Sequence, residues 1–305
     1  MDNLHTIREL FSQTSQSIFP LARGVMQLLF EEYFSEQRFY MPTFIASQVA
    51  PKPISAALLG KRSPYQNLKS TQITLTDAAD AGYLKSENNG NFIVTEKGAQ
   101  AIKDVHLAFY DHINKINRFS DEKMKVLASL LSKLVDSCTN SKLDNGSICL
   151  DISHGGHPKV ESNSLAIVDQ HLDDLNAFRD DAHIAAWQPI GVSGKTWEAL
   201  TFVWVGEENT GEKLAQRLPF RGYTTEDYTQ SLTELKNRGW IEKSGDVFAI
   251  TPAGKELRDK AETDTDSNYF APWKVLSKTE LSQLTELLTN LKDTNTAILE
   301  SVPNE

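Results

Sequence analysis

One block of pattern occurs twice in this chain. Residues 92–102 read Phe-Ile-Val-Thr-Glu-Lys-Gly-Ala-Gln-Ala-Ile, and residues 248–257 read Phe-Ala-Ile-Thr-Pro-Ala-Gly-Lys-Glu-Leu. Phe92, Val94, Thr95 and Gly98 align with Phe248, Ile250, Thr251 and Gly254. Upstream, Gly82-Tyr83-Leu84 aligns with Gly239-Trp240-Ile241; downstream, Met124, Leu127, Leu131 and Leu134 align with Leu281, Leu284, Leu288 and Leu291. All three matches share nearly one offset, about half of the 305 residues. A repeat of that period implies two copies of one domain and bounds the fold before any local reading does. The composition, 40% hydrophobic and 24% charged, supplies two cores without wholesale disorder.

Helical spacing dominates each half. Leu4, Ile7, Leu10 and Phe11, then Leu21, Val25, Leu28 and Leu29, predict one helix before Pro20 and one after. Residues 43–60 are apolar and Ala-rich and read as helical, broken or bounded by Pro51 and Pro53. A further helix is expected over about 68–81, closed by Gly82. Two short strands then flank the turn Glu87-Asn88-Asn89-Gly90-Asn91. Thr95 and Ser120 are placed to cap the two helices that follow. The second half repeats this order: helices near 163–187, 195–205, 210–218 and 224–238, a hairpin turning at Lys243-Ser244-Gly245-Asp246, then helices opened by Thr251 and Ser277. Residues 137–163, rich in Ser, Asn, Gly and His, read as a connection with one short strand at Ser147–Ile152. The division expected is a first domain at 1–140, a linker at 141–162 and a second domain at 163–305.

The hairpin followed by Thr-x-x-Gly and a long helix, then a late helix with a leucine stripe, resembles the MarR-like winged helix-turn-helix regulators (multiple-antibiotic-resistance type). The motifs here are Val94-Thr95-Glu96-Lys97-Gly98 and Ile250-Thr251-Pro252-Ala253-Gly254; the late helices open at Ser120-Asp121-Glu122 and Ser277-Lys278-Thr279-Glu280. The resemblance covers most of both halves and departs from the family in fusing two copies. It implies a mainly α fold with small β-hairpin wings, built as tandem winged helix-turn-helix domains in an intramolecular pseudo-dimer whose late helices clasp each other. It also implies a DNA-binding transcription regulator with two heads in successive major grooves, monomeric because the dimer is built into the chain. The alternative is a winged-helix module for ligand binding or protein interaction that no longer reads DNA.

Contacts to double-stranded DNA are expected from Lys61, Arg62, Gln66, Lys69, Ser70, Gln72 and Lys85 in the first copy, and from Arg217, Arg221, Thr224, Thr225 and Lys243 in the second. Charge argues the other way. The net charge is −10, and each reading helix holds more acid than base, including Glu226 and Asp227 in a first turn. All five tryptophans lie in the second half. They read as core, or as a pocket for a small aromatic effector near His183, Trp187, Trp197, Tyr269 and Trp273, with Asp180 and Asp181 as polar anchors.

Cys138 and Cys149 are too few for a disulfide framework and read as free thiols. Asp151, His154 and His157 have a short metal-type spacing, with His171 as a remote candidate, but lack a clear full ligand set. No cofactor and no enzymatic motif is implied. The first residues lack a secretory pattern and no apolar run is long enough to cross a bilayer, so a cytoplasmic protein is expected.

Overall fold

Apolar residues recurring every three or four positions make this a helical protein. The computed structural model describes residues 2–155, 164–245 and 247–301. The first half runs α1 (Asp2–Ile18), a 3-10 turn (Phe19–Ala22) with Pro20 in its first turn, α2 (Arg23–Tyr33) and α3 (Tyr40–Val49). It continues with β1 (Ile54–Ser55), α4 (Ala56–Arg62), α5 (Leu68–Asp80), β2 (Leu84–Ser86), β3 (Asn91–Val94), α6 (Glu96–Ile116), α7 (Asp121–Thr139) and α8 (Ile148–Gly155). The second half runs α9 (Ser164–Trp187), α10 (Gly194–Val205), α11 (Gly211–Arg217), α12 (Thr225–Asn237), β4 (Ile241–Ser244), β5 (Val247–Ile250), α13 (Pro252–Phe270) and α14 (Lys278–Ser301). After α3 and after α10, two short helices, two strands and two long helices follow in the same order, with the two-residue β1 added ahead of α4 in the first half.

One local device is identical in both halves. Thr95 Oγ1 accepts from Gly98 N at 3.0 Å and donates to Gly82 O at 2.7 Å. Thr251 Oγ1 accepts from Gly254 N at 3.1 Å and donates to Gly239 O at 2.7 Å. Each threonine therefore caps its long helix and ties it to the glycine that ended the preceding one. Gly82 and Gly239 hold positive φ angles of 82° and 74°. Gly98 and Gly254 are needed for a different reason. A Cβ at either would overlap the carbonyl of Tyr83 or of Trp240, so only glycine lets helix and strand approach this closely.

Both sheets are antiparallel. β4 pairs with β5, and β3 is the centre of a three-stranded sheet in the order β1-β3-β2. The two-residue β1 lies in a segment expected to be helical. Pro51 and Pro53 separate α3 from α4, and the freed Ile54 pairs with Phe92. The expected strand at Ser147–Ile152 is instead helix α8. Asp181 accepts from the amides of Cys149 and Leu150 at 2.9 and 2.8 Å, satisfying donors that a helix start leaves open.

The leucine stripes are buried. Leu127, Leu131, Leu134, Leu284, Leu288 and Leu291 are all 0% exposed, each burial contributing about 1.5–3 kcal/mol. Their partners differ from the expected mutual clasp. α7 packs mainly along α9, and α14 mainly along α1, so each late helix grips the opening helix of the other half. Between themselves α7 and α14 carry the ion pair Lys133–Glu280, at 2.7 Å. Asn295 donates to Ser17 Oγ at 2.9 Å inside the α1–α14 seam. Ser277 and Glu280 form a reciprocal cap, whereas Ser120 sits at its cap position without a side-chain bond.

One continuous core joins these helices to α3, α5 and α6. A second, smaller core lies inside the second head, around Trp187, Trp197, Leu214, Tyr228, Leu232 and Leu235. The first head is thus part of the central bundle, while the second has a core of its own.

Candidate nucleic-acid interface and the cavity behind it

Each head is a short helix, a turn, a longer helix and a hairpin. In the first, Asn67 caps α5, its Oδ1 accepting from Lys69 N at 2.9 Å. In the second, Thr224 and Asp227 form a capping box on α12. Lys61, Lys69, Arg217 and Lys243 are exposed, as is Lys85, which pairs with Glu87 at 2.9 Å. Ser70 and Gln72 are half-buried on α5. Thr225 is exposed, and Thr224 spends its hydroxyl on the cap. Arg62 is half-buried and lines the cavity described below.

Most acidic side chains of the reading helices are neutralised within the heads. Asp77 pairs with Arg38 at 2.7 Å. Glu234 pairs with Arg238 at 3.0 Å and accepts from Thr196 at 3.1 Å. Asp227 accepts from the Thr224 amide, which does most to lower its pKa, and pairs with Lys195 at 3.3 Å. The exposed face of α12 is then Thr225, Glu226, Thr229, Gln230 and Thr233, flanked by exposed Lys213, Arg217, Lys236 and Lys243.

The turns of the two heads meet. Asn67 N donates to Arg221 O at 3.0 Å, and Asn67 Nδ2 to Gly222 O at 2.8 Å. Tyr223 OH donates to Gln66 O at 3.1 Å. With its amide turned so that both neighbours are satisfied, Gln66 donates to Phe220 O at 3.1 Å and accepts from Arg221 Nη1 at 3.0 Å. Arg221 also makes a forked bond to Glu198, at 2.7 and 3.0 Å, and lies over the rings of Tyr65 and Phe220 at 5.3 and 5.0 Å. Tyr65 OH accepts from Trp187 Nε1 at 3.2 Å. Gly222 has φ 73°, and a Cβ there would overlap Ser70.

This contact bears on two expectations. Gln66 and Arg221 hold one head to the other in this conformation. The N-termini of α5 and α12 adjoin, whereas heads in successive major grooves lie about 34 Å apart. A sequence shows the cap and the turn of each head, but no local signal records a contact between segments half a chain apart.

The expected aromatic pocket is divided between two packed cores. Trp187, Trp197, Tyr269 and Trp273 are each 1–2% exposed. Trp187 and Trp197 stack at 5.6 Å in the head, with His183 accepting from Trp197 Nε1 at 3.4 Å. Burial lowers the His183 pKa to about 4. Tyr269 and Trp273 pack with Phe11 in the central core. Arg258, 1% exposed, is held between Trp197 and Trp204 at 4.5 and 4.7 Å. Large rings bury large areas, and here they serve packing.

An open cavity of about 370 Å³ lies elsewhere, between α2, α3 and α6 on one side and α9 on the other. Phe30, Tyr40, Phe44, His106, Phe109 and Tyr110 supply aromatic walls; Asp169, Asp173 and Asp180 supply carboxylates, with Arg62 at the α4 end. Their spacing puts all three carboxylates on one face of α9, and of the two expected polar anchors Asp180 lines this cavity while Asp181 bonds the start of α8. Asp169 accepts from Tyr110 OH at 2.9 Å, and Tyr40 OH contacts His106 Nε2 at 3.2 Å. Asp173 and Asp180 are exposed where they line the cavity. Burial raises Asp169 to about 6; burial and then repulsion from Asp169 and Asp174 raise Asp173 to about 8. Burial lowers His106 to about 4, leaving it neutral at ordinary pH.

The histidine loop resolves into an ordinary polar cluster. Asp174 accepts from Ser153 Oγ at 2.7 Å, from Gln170 at 2.8 Å and from His154 Nδ1 at 3.0 Å. His157 lies outside the described residues. Among the described residues no group of three His, Cys, Asp or Glu is placed to hold a metal ion. Cys138 and Cys149 are buried free thiols.

Residues 170–299 match the model of a helix-turn-helix family. The match begins within α9 and ends in α14, so the second half contains a helix-turn-helix domain. No curated protein and no solved structure matches the chain. No helix of the described residues is long and apolar enough to cross a membrane.

Proposed function

We propose that this chain is a DNA-binding transcription regulator of MarR-like type, with two fused winged-helix copies at 1–140 and 163–305 forming an intramolecular pseudo-dimer that works as a monomer in the cytoplasm. The observation that carries the reading is the exposed α12 face, with Thr225, Thr229, Gln230 and Thr233 beside one acid, Glu226, and with exposed Lys236 on the same helix and exposed Lys213, Arg217 and Lys243 on the neighbouring α11 and β4. It is a surface with hydrogen-bonding groups for base edges and cations for phosphates. The helix-turn-helix match over 170–299 supports it, as do the Thr-x-x-Gly devices shared by the halves. The turn-to-turn contact is then a closed state, and reading with both heads requires them to part.

Selection from random duplexes at low salt tests this. A preferred sequence is expected, and Arg217→Ala with Lys243→Ala together lower the salt slope by about 2. Recovery of no preferred sequence by both the wild type and a variant whose heads are parted overturns it. The contact between the turns favours a second reading, a winged-helix module that uses its heads on each other and no longer reads DNA; that second outcome would establish it.

A further inference from the structure

We propose that the cavity between α2, α3, α6 and α9 binds an organic cation with an apolar body, such as a substituted ammonium. Three features of the site point to that chemistry together. The walls are aromatic: Phe30, Tyr40, Phe44 and Tyr110 present ring surface on the α2, α3 and α6 side. Ring faces attract a cation within about 6 Å and offer an anion nothing. The opposite side carries Asp169, Asp173 and Asp180, and Arg62 balances only one of these three charges. Asp173 lines the cavity, is exposed there, and has no hydrogen-bond or ion-pair partner among the described residues. It stands one helical turn from Asp169, and a bound cation relieves the repulsion between such like charges. The volume of about 370 Å³ falls at the small-molecule end of ligand sites, far above what a bare metal ion needs.

Arg62 links this cavity to the contact between the heads. Arg62 is the last residue of α4 and lines both this cavity and a neighbouring one of about 450 Å³ shared with Gln66 and Phe220. A cation seated against Asp173 and Asp180 competes with Arg62 for its counter-charges and so acts on the turn at 63–67. This regulatory consequence rests on the DNA-reading proposal; the ligand assignment does not.

Calorimetric titration of the full chain at pH 8 with benzyltrimethylammonium, phenylacetate and calcium chloride tests the ligand class without DNA. Saturable binding is expected for the ammonium alone. Asp173→Asn and Asp180→Asn should each weaken it at least tenfold, with circular dichroism and melting showing both variants folded. Absence of saturable ammonium binding, binding of phenylacetate as tight as or tighter than that of the ammonium, calcium binding without ammonium binding, or unchanged affinity in both folded variants would each overturn the proposal. A positive titration with a negative duplex selection would sink the regulator and leave the cation site standing.

Discussion

The amide of Asn67 donates to the carbonyl of Arg221 at 3.0 Å, joining the cap of one reading helix to the turn just before the other. That hydrogen bond makes the two heads one unit. If it holds in solution, hydrogen exchange at Asn67 is slow, and parting the heads must accelerate it. Gly222→Val supplies the wedge, because the position has φ 73° and faces Ser70. Exchange at Asn67 is expected to rise at least tenfold in that variant while the Leu131 and Leu288 amides stay protected. Unchanged exchange would mean that the turns do not hold each other.

The paired threonine caps predict matched losses. Thr95→Ala and Thr251→Ala should each cost about 1 kcal/mol, the usual value of an N-cap bond. Gly98→Ala and Gly254→Ala should cost more, since each new methyl meets a backbone carbonyl that has no room to retreat. Chemical denaturation of the four variants reads both comparisons. An effect confined to one half would show that the device matters in only one.

These devices are the most legible part of the molecule. Thr95 and Gly98, or Thr251 and Gly254, act within three residues of each other, and a linear pattern displays such chemistry directly. Helix positions and leucine stripes are legible for the same reason. The fate of Ile148-Cys149-Leu150 is not. A short apolar run suits strand or helix, and the decision lies with Asp181, which accepts from the Cys149 and Leu150 amides. The tryptophans mislead because a sequence displays their area but not their position. Asp180 is legible as a polar anchor, but Asp169 and Asp173 carry no local signal, and only the tertiary packing sets Tyr40 and Tyr110 across from them.

Cavity charge gives stability a pH dependence of defined sign. Asp169 and Asp173 have folded-state pKa values of about 6 and about 8, above the ordinary carboxylate value. The folded chain therefore holds protons more tightly than the unfolded one. Stability contributed here increases as pH falls through 8 and then 6, and levels off near the ordinary carboxylate range of about 4. The facing groups are Arg62, Tyr40, His106 and Tyr110, with Asp174 and Asp180 on the same helix. Asp173→Asn should raise the melting temperature at pH 8.5 and lose that advantage by pH 5. Cavity water screens the charge, so a gain of no more than about 2–4 °C is expected. A gain that is equal at both pH values would place the charge elsewhere.

Arg258 between Trp197 and Trp204 tests the separate core of the second head. Its Nη2 bonds Glu262 at 2.8 Å, and its Nε and Nη1 have no hydrogen-bond partner among the described residues. Arg258→Ala removes both stacking faces and should cost about 2–3 kcal/mol, below the range for a fully buried pair because Glu262 is partly solvated. Tryptophan fluorescence during urea unfolding gives the measurement. A Met replacement, which refills the space between the rings, should recover most of the loss.

The seam between α1 and α14 has a consequence for biosynthesis. Thr14 and Leu288, bonded across it, are separated by 274 positions of chain. A nascent polypeptide can cover part of α1 once α9 has emerged, but the side of α1 that faces α14 stays bare until that last-made helix leaves the ribosome. A chain stalled before α14 therefore offers chaperones and proteases an open greasy strip along α1.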